Sequence, residues 1–172
     1  DQEHGIKLLI EHLLSCGHKH IAEISGPLDH DGGRSRHQTW LKLAAEYEIL
    51  PGPSVSVDFN MAGGARGIDQ LLEIGAEFTA IIAGNDDIAL GAIHRLHELD
   101  ISVPEDISIV GFDDAPHAAF TYPPLTTVHQ DFYKLGNLAT DYLISLIEDD
   151  DAITYQRVLK PEIIIRKSTR KL

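Results

Sequence analysis

The fold is decided by residues 78–114, FTAIIAGNDDIALGAIHRLHELDISVPEDISIVGFDD. An unbroken apolar run at 79–84 precedes a segment whose apolar residues recur at helical spacing, and a turn then leads into a second apolar run at 107–111. The pattern predicts a strand, a helix and another strand. Strands that are apolar at every position are typical of a parallel sheet buried on both faces. This stretch therefore predicts one unit of an α/β fold.

The same alternation continues on both sides of this stretch. The length of 172 residues suits one domain of ordinary size. We predict an α/β fold, a parallel sheet with helices on both faces. Residues 51–53, PGP, are predicted to form a turn, and residues 63–67, GGARG, a loop. Extended segments are predicted at 21–26, 54–59, 79–84, 107–111, 125–128 and 163–165, and helices at 6–14, 36–47, 68–75, 88–96 and 132–147.

Composition excludes several classes of protein. The formal net charge of −13 repels phosphate backbones, so we do not expect these residues alone to bind nucleic acid. The chain has neither a secretory signal nor an apolar run long enough to span a membrane, and a cytoplasmic protein is the expectation. Cys16 cannot form an internal disulfide and is predicted to lie in the core. The acidic run 148–151 is predicted to be a solvated turn.

Polar groups follow the predicted strands at one edge of the sheet. In open parallel sheets, ligands bind outside the carboxyl ends of the strands. Carboxylate, amide and guanidinium groups can each pair with neighbouring hydroxyls, and an aromatic ring can lie against a sugar, so the set suits a sugar or polyol. Alternatively, the Asp and Asn residues only cap the helices that follow. The set comprises Gly26 with the loop to Arg36, Asp58, Phe59, Asn85, Asp86, Asp87, Asp113 and Asp114.

Catalysis and metal binding receive less support from the sequence. The chain lacks a nucleophile elbow, a Walker loop and a dinucleotide fingerprint, so we expect neither an enzyme nor a cofactor. Asp113 and Asp114 are adjacent, and adjacent strand residues point to opposite faces, so they are poorly placed to act as acid and base. The same argument separates His18 from His20. The histidines are predicted to lie on the surface, and no metal site is expected.

Five stretches resemble the lactose/galactose-repressor family of bacterial transcription regulators. They occur in family order and cover nearly the whole chain. The resemblance implies the effector domain of such a regulator, which has the type I periplasmic-binding-protein fold. The stretches are HLLSCGHKHIAEISGP (12–27), the helix start from Arg36 to Trp40, residues 78–114, PPLTTVHQDFYKLG (123–136) and IIIRKST (163–169).

The resemblance also implies a division into subdomains. Residues 1–16 and 129–159 would be parts of an N-terminal subdomain, and residues 17–128 with 160–172 the C-terminal, effector-binding subdomain. Family members begin with a helix-turn-helix head, which this chain lacks, so operator DNA would be contacted only through that head. The family forms side-by-side dimers. Since no leucine heptad follows the last strand, we expect a homodimer rather than a tetramer.

The resemblance further implies contacts to a small-molecule effector, expected to be a sugar. Arg36 would hold ligand hydroxyls, Phe59 would stack on the sugar ring, and Asn85 and Asp113 would exchange hydrogen bonds with hydroxyls. The full set of implied ligand-binding positions is His4, Arg36, Phe59, Asn85, Asp113, Gln130 and Phe132, with Leu135 near the apolar wall.

Two positions depart from the family pattern. Thr39 stands where the family usually has a glycine, so close packing there is altered. His4 replaces an acid found in one family member, which removes an acceptor for a sugar hydroxyl and puts a β-galactoside effector in doubt.

By the same resemblance, an effector would shift the arrangement of the two subdomains and so modulate DNA binding. The alternative is the sugar-binding protein of a periplasmic transport system, which shares the fold. A third possibility, an enzyme that uses Asp113 and Asp114, has little support. The acid pair is better interpreted as one ligand-binding carboxylate, Asp113, and one residue, Asp114, that caps or braces the following segment.

Overall fold

The computed structural model describes residues 1–148 and 156–172, which are built around a six-stranded sheet. The strands are β1 (His20–Ser25), β2 (Leu50–Ser56), β3 (Ala80–Ala83), β4 (Ser108–Asp113), β5 (Thr126–His129) and β6 (Glu162–Ile164). Their order is β2-β1-β3-β4-β5-β6. All neighbours pair in parallel except β6, which runs antiparallel to β5 at the edge. The predicted α/β fold is confirmed, with one antiparallel strand added.

Helices cover both faces of the sheet. They are α1 (Gln2–Ser15), α2 (Asp31–Glu46), α3 (Met61–Ile74), α4 (Asp86–Glu98) and α5 (Phe132–Glu148). One core joins α3 and α4 to the sheet, and a second core joins α1 and α2 to the opposite face. Consecutive residues of β3 show the alternation, because Ile81 lies in the first core and Ile82 in the second. None of the helices in the described ranges is long and apolar enough to span a membrane.

The glycine-rich segment 63–67 is helical, so the loop prediction is wrong. The side chain of Asn60 caps α3 by accepting a hydrogen bond from the Gly63 amide, over 2.7 Å. A Cβ at Gly64 would overlap the carbonyl oxygen of Ile88, and one at Gly91 would overlap that of Met61. Gly64 and Gly91 therefore allow the backbones of α3 and α4 to pack directly on each other. The free energy of this packing outweighs the low helix propensity of glycine.

The turn predicted at 51–53 is also wrong, since these residues belong to β2. β2 lies at the edge of the sheet, where a missing proline N–H does not interrupt a ladder between two strands. The pairing with β1 is irregular between Ile21 and Glu23. A Cβ at Gly52 would come within 2.5 Å of the Ile21 carbonyl oxygen, so glycine is needed for the close approach.

Helix α2 begins at Asp31, five residues before its predicted start at position 36. The ring of His30 caps it by accepting a hydrogen bond from the Gly32 amide, over 3.1 Å. A histidine cap is outside the usual set of Ser, Thr, Asp and Asn, which is why the sequence pattern missed this start.

His18 contradicts the prediction of surface histidines. It is buried, and its ring lies 2.9 Å from the Thr79 hydroxyl and 3.0 Å from the Arg170 carbonyl oxygen. Since a carbonyl oxygen only accepts, Nε2 carries the proton of the neutral ring. Burial lowers the pKa of His18. This histidine ties the junction of α1 and β1 to the C-terminal segment.

Helices α1 and α5 differ in how they contact the sheet. The four side chains Ile6, Leu9, Ile10 and Leu13 of α1 are buried in the second core. Residues 1–16, predicted to belong to the N-terminal subdomain, thus pack on the same sheet as the helices and strands of residues 17–128. By contrast, α5 buries none of its side chains. Residues 149–155, which include most of the predicted acidic turn and part of the range 129–159, lie outside the described residues.

The packing of α3 on α4 predicts opposite effects for two glycine substitutions. Gly64→Ala should lower the free energy of unfolding by about 1–3 kcal/mol, because the methyl group meets the Ile88 carbonyl. Gly136→Ala, in α5 with open space around it, should raise that free energy by about 0.5–1 kcal/mol. Urea denaturation of this 172-residue chain measures both, since the open space around Gly136 is a property of this chain. Equal stability of the two variants would contradict this account of the glycines.

The buried imidazole of His18 predicts loss of stability in mild acid. The pKa of His18 in the fold is lowered from 6.5. Its contribution to the free energy of unfolding is therefore fully present above pH 6.5 and is lost as the pH falls below 6.5 toward the pKa in the fold. The loss for one such group is at most about 1.4 kcal/mol per pH unit. Urea midpoints of wild type and His18→Gln should therefore approach each other between pH of about 7.5 and about 5.5. The side chain of His94 is 69% exposed and supplies the control: at a pH of about 7.5, His94→Gln should keep the wild-type urea midpoint.

Candidate functional site

A network of polar side chains lies at the carboxyl ends of the parallel strands. Arg36 reaches this edge from α2, and Asp113 ends β4. Gln130 follows β5, and Gln2 opens α1. The sheet topology thus brings together four side chains that are far apart in the chain.

These four side chains form a closed ring of hydrogen bonds, which we call the polar ring. Arg36 Nε donates to Gln2 Oε1 over 2.7 Å, and Gln2 Nε2 donates to Gln130 Oε1 over 2.9 Å. Gln130 Nε2 donates to Asp113 Oδ1 over 2.7 Å, and Arg36 Nη2 closes the ring on the same oxygen at 3.3 Å. Arg36 also donates through Nη1 to the carbonyl oxygen of Gly84.

The polar ring is held in a sheltered environment. The Arg36 side chain is only 11% exposed, and its guanidinium carbon lies 3.9 Å from the centre of the Phe112 ring. Burial lowers the pKa of Arg36 and raises the pKa of Asp113, while the ion pair between them opposes both shifts. A carboxylate and a guanidinium in such surroundings form strong, directional hydrogen bonds with any ligand that displaces their present partners.

Asp86 lies beneath the polar ring and is almost fully buried. Its Oδ1 accepts from the Thr127 hydroxyl at 2.5 Å, and its Oδ2 accepts from the Ala115 amide at 2.6 Å. Burial, Asp113 and Asp114 raise the pKa of Asp86 to about 6, against the effect of these two hydrogen bonds. A Cβ at Gly111 would overlap Asp86 Oδ1. A glycine is therefore needed at position 111, inside β4, to make room for the Asp86 carboxylate. Strand β4 continues to Asp113, whereas the sequence predicted that it ends at Gly111.

The two acids at the end of β4 contact different groups. Asp113 belongs to the polar ring, and its side chain is 25% exposed. Asp114 pairs with Arg166 at 2.7 Å and with His129 at 3.1 Å. Both residues have positive φ, 110° and 55°, which non-glycine residues rarely adopt. The two carboxylates are thus separated, as expected from the sequence, and do not face a common point.

The other polar residues at the strand ends have structural partners. Asn85 caps α4, since its Oδ1 accepts from the Ile88 amide at 2.9 Å. Asp58 pairs with Arg66 at 2.7 Å, and Asp87 lies 3.1 Å from His117. The capping alternative thus accounts for the side-chain oxygen of Asn85, whereas the amide nitrogen of the same side chain is a donor that takes no part in the cap.

Two aromatic residues and a leucine flank the polar ring. Phe59 lies beyond β2, directly over Gly26, and makes an edge-to-face contact with His30 at a centroid distance of 5.4 Å. Phe132 and Leu135, at the start of α5, are 55% and 49% exposed. The latter two line a cavity of about 260 Å³ that also contacts Gln130.

The first turn of α1 approaches the polar ring through Gln2, which sequence reasoning missed. His4 lies two residues further along the helix and is half-buried, and its backbone amide donates to Asp1 Oδ1. Gln2 belongs to no motif, and Gly84 contributes only its backbone carbonyl, so a search for polar side chains at the strand ends identified neither. In the part of the chain that the structure describes, no group of three His, Cys, Asp or Glu side chains could hold a metal ion.

Comparisons with known proteins agree with this architecture. Residues 10–169 match the family model of the periplasmic binding protein-like domain. The chain is 38% identical to the HTH-type transcriptional repressor PurR of Haemophilus influenzae (strain PittEE), over 98% of this chain and 52% of that protein. It is 35% identical to the lactose operon repressor of Escherichia coli (strain K12), over 97% of this chain and 46% of that protein.

Solved structures give the same result. A dimeric Lac repressor with an 11-residue C-terminal deletion matches with a TM-score of 0.94 and 34% identity, over 99% of this chain and 62% of that one. The Lac repressor dimer bound to operator and the anti-inducer ONPF matches with a TM-score of 0.93 and 35% identity, over 99% and 59% of the two chains.

The chain spans about half the length of the curated relatives it matches. These relatives are regulatory proteins rather than enzymes, and a repressor domain fits them better than the transport alternative does. The predicted family is confirmed: the chain belongs to the periplasmic binding protein-like domain family, and its homologues are bacterial transcriptional repressors.

Proposed function

We propose that this chain is the effector-binding and dimerisation portion of a bacterial transcriptional repressor, with a sugar as its effector. The polar ring of Gln2, Arg36, Asp113 and Gln130 carries the proposal. It gathers buried donors and acceptors at the edge of the sheet where ligands of such folds bind. The charge of −13 agrees with a chain that reaches operator DNA only through a separate head domain.

The chemistry of the polar ring suits neighbouring hydroxyl groups. A hydroxyl can accept from Arg36 and donate to Asp113, so a diol can replace the bonds that now join these two residues. The Asn85 amide would add a further contact. Phe59 would lie against the apolar face of a sugar, and Phe132 with Leu135 would form the apolar wall. His4 would contribute a neutral or cationic donor, not a carboxylate.

The proposed mechanism is a change in how two subdomains close around the ligand. The sheet with α1 to α4 forms the C-terminal subdomain, a revision that moves residues 1–16 into it because α1 is buried there. Helix α5 belongs to the N-terminal subdomain, whose remaining strands would cover the exposed apolar side chains of α5. A sugar that binds one arrangement more tightly shifts the population toward it, and the shift reaches the DNA-binding heads. A cytoplasmic location follows from this role.

The effector site predicts loss of sugar binding when the polar ring is broken. Isothermal titration of the full-length protein with a panel of ribose, galactose, lactose and related sugars should reveal a binder. Asp113→Ala and Arg36→Ala should each weaken its binding at least about a hundredfold, because each leaves a buried charged partner unpaired.

The exposed Asp69, which pairs with Arg95 on the far side of the sheet, supplies the control. Asp69→Ala should leave the dissociation constant unchanged. Wild-type affinity in both Asp113→Ala and Arg36→Ala would show that the site is misassigned. Reading the gene upstream of residue 1 separates the alternatives, since a repressor requires a helix-turn-helix there and a transport protein an export signal.

An exposed aromatic patch supports the proposed homodimer. Phe120 is 88% exposed and Tyr122 is 97% exposed, which is unusual for two large side chains so close in sequence. Tyr122 also borders a cavity of about 450 Å³ next to Leu90 and Ile93 of α4. Such a patch is typical of an interaction surface, and the dimeric state of the related Lac repressor structure supports a second copy of the chain as its partner.

The patch predicts a specific dissociation of the dimer. Substituting both Phe120→Asp and Tyr122→Asp should convert the full-length protein to monomers, because two carboxylates would be buried in each half of the interface. Sedimentation velocity measures the change. Leu41→Asp, at an exposed leucine of α2, should leave the dimer intact. A dimer that survives the double substitution would rule out this surface.

A further inference from the structure

The turn that presents Asp113 to the polar ring has an unfavourable backbone conformation. Asp113 and Asp114 are consecutive and both have positive φ. The left-handed region costs free energy for any residue with a Cβ, so such a turn persists only where its surroundings hold it. The contacts of these two residues therefore decide where the Asp113 carboxylate points.

The contacts of Asp113 cannot hold the turn both when a ligand is bound and when it is absent. Its carboxylate is bound by Arg36 and Gln130, which belong to the polar ring. Under the proposed function, a sugar replaces those bonds. A support that works with and without ligand must lie outside the polar ring.

The contacts of Asp114 meet that requirement. Its Oδ1 accepts from Arg166 Nη2 at 2.7 Å, and its Oδ2 lies 3.1 Å from His129 Nδ1. Both oxygens are thus engaged, and the Asp114 and Arg166 side chains are only 17% and 19% exposed. An ion pair with this geometry and shelter is stronger than a typical surface pair.

Arg166 is itself fixed to the sheet. Its Nη1 donates to the Leu125 carbonyl at 2.9 Å, and its backbone amide donates to the Thr126 hydroxyl at 2.9 Å. The guanidinium therefore spans from the start of β5 to the turn after β4. Asp114 does not cap the following 3₁₀ helix, which has no side-chain cap, so the carboxylate serves Arg166 and His129 rather than a helix end.

We propose that Arg166 and His129 are positioning residues for effector binding: by holding Asp114 they keep the turn in the conformation that directs Asp113 into the polar ring. This inference rests on the proposed function for the role of Asp113. It assigns a role in ligand affinity to Arg166, 52 residues from Asp114 in the chain. Arg166 is not a member of the polar ring, and its hydrogen bonds go to Leu125, Thr126 and Asp114.

We call Asp114 with its two partners, Arg166 and His129, the clamp. Two measurements on the full-length protein test its role. The first is hydrogen exchange, followed by mass spectrometry, of the backbone amides at 113–115 without ligand. Arg166→Gln and Asp114→Asn should each accelerate exchange there by about tenfold, because one charge-assisted hydrogen bond is lost. The second is titration with the sugar that the panel identifies, for which both variants should weaken binding by about tenfold.

Two further variants guard against a trivial loss of folding. Arg166→Lys keeps a cation near Asp114 but cannot also donate to Leu125, and it should give intermediate exchange and affinity. Arg170→Gln is the matched control: Arg170 lies in the same C-terminal segment, and its guanidinium donates only to the Lys171 carbonyl among the hydrogen bonds of the described residues. It should match wild type in both measurements.

The outcomes separate this inference from the proposed function. Wild-type exchange at 113–115 in Arg166→Gln and Asp114→Asn would overturn the clamp, with or without a sugar ligand. Wild-type affinity in these variants, where Asp113→Ala abolishes binding, would overturn the positioning role. A third outcome is faster exchange in Arg166→Gln and Asp114→Asn together with unchanged sugar affinity in Asp113→Ala. That outcome would refute the sugar site and would also remove the positioning role.

Discussion

The buried carboxylate of Asp86 is the constraint on which the carboxyl edge of the sheet depends. It accepts hydrogen bonds from β5 through Thr127 and from the turn after β4 through Ala115, and it requires a glycine at position 111. A buried carboxylate without partners would be strongly destabilising. Strand β5, the turn after β4 and the part of β4 around Gly111 must therefore meet at the start of α4. The position of Asp113, and with it the polar ring, follows from this junction.

The polar ring is occupied by its own members when no ligand is present. Arg36 and Asp113 satisfy each other and the two glutamines, so no buried charge is left unpaired. A ligand must replace these bonds with equally good ones, which favours molecules with several hydroxyls in fixed positions over apolar molecules. Under the proposed function, selectivity would come from the exchange of hydrogen bonds, while the exposed side chains of α5 would supply apolar contact.

Much of the fold could be predicted from local patterns, and the errors have one kind of cause. Strands β1 and β3 and helix α5 were located to within one or two residues because their apolar residues follow the period of the element. The start of α3 was missed because Gly63 serves close approach to the Asp58 carbonyl and Gly64 serves contact with α4. In the candidate site, Arg36, Asp113 and Gln130 were named in advance and lie together, whereas Gln2 was not.

The sequence by itself determined the alternation of strands and helices, the edge of the sheet at which polar groups collect and the family of the protein. These follow from periodicity and from motifs that are contiguous in the chain. Only the tertiary structure decided that α1 packs on this sheet, that Gln2 completes the polar ring and that Asp114 pairs with Arg166. Each of these depends on residues far apart in the chain, and their contacts are set by the packing of the whole domain, which a local pattern does not encode.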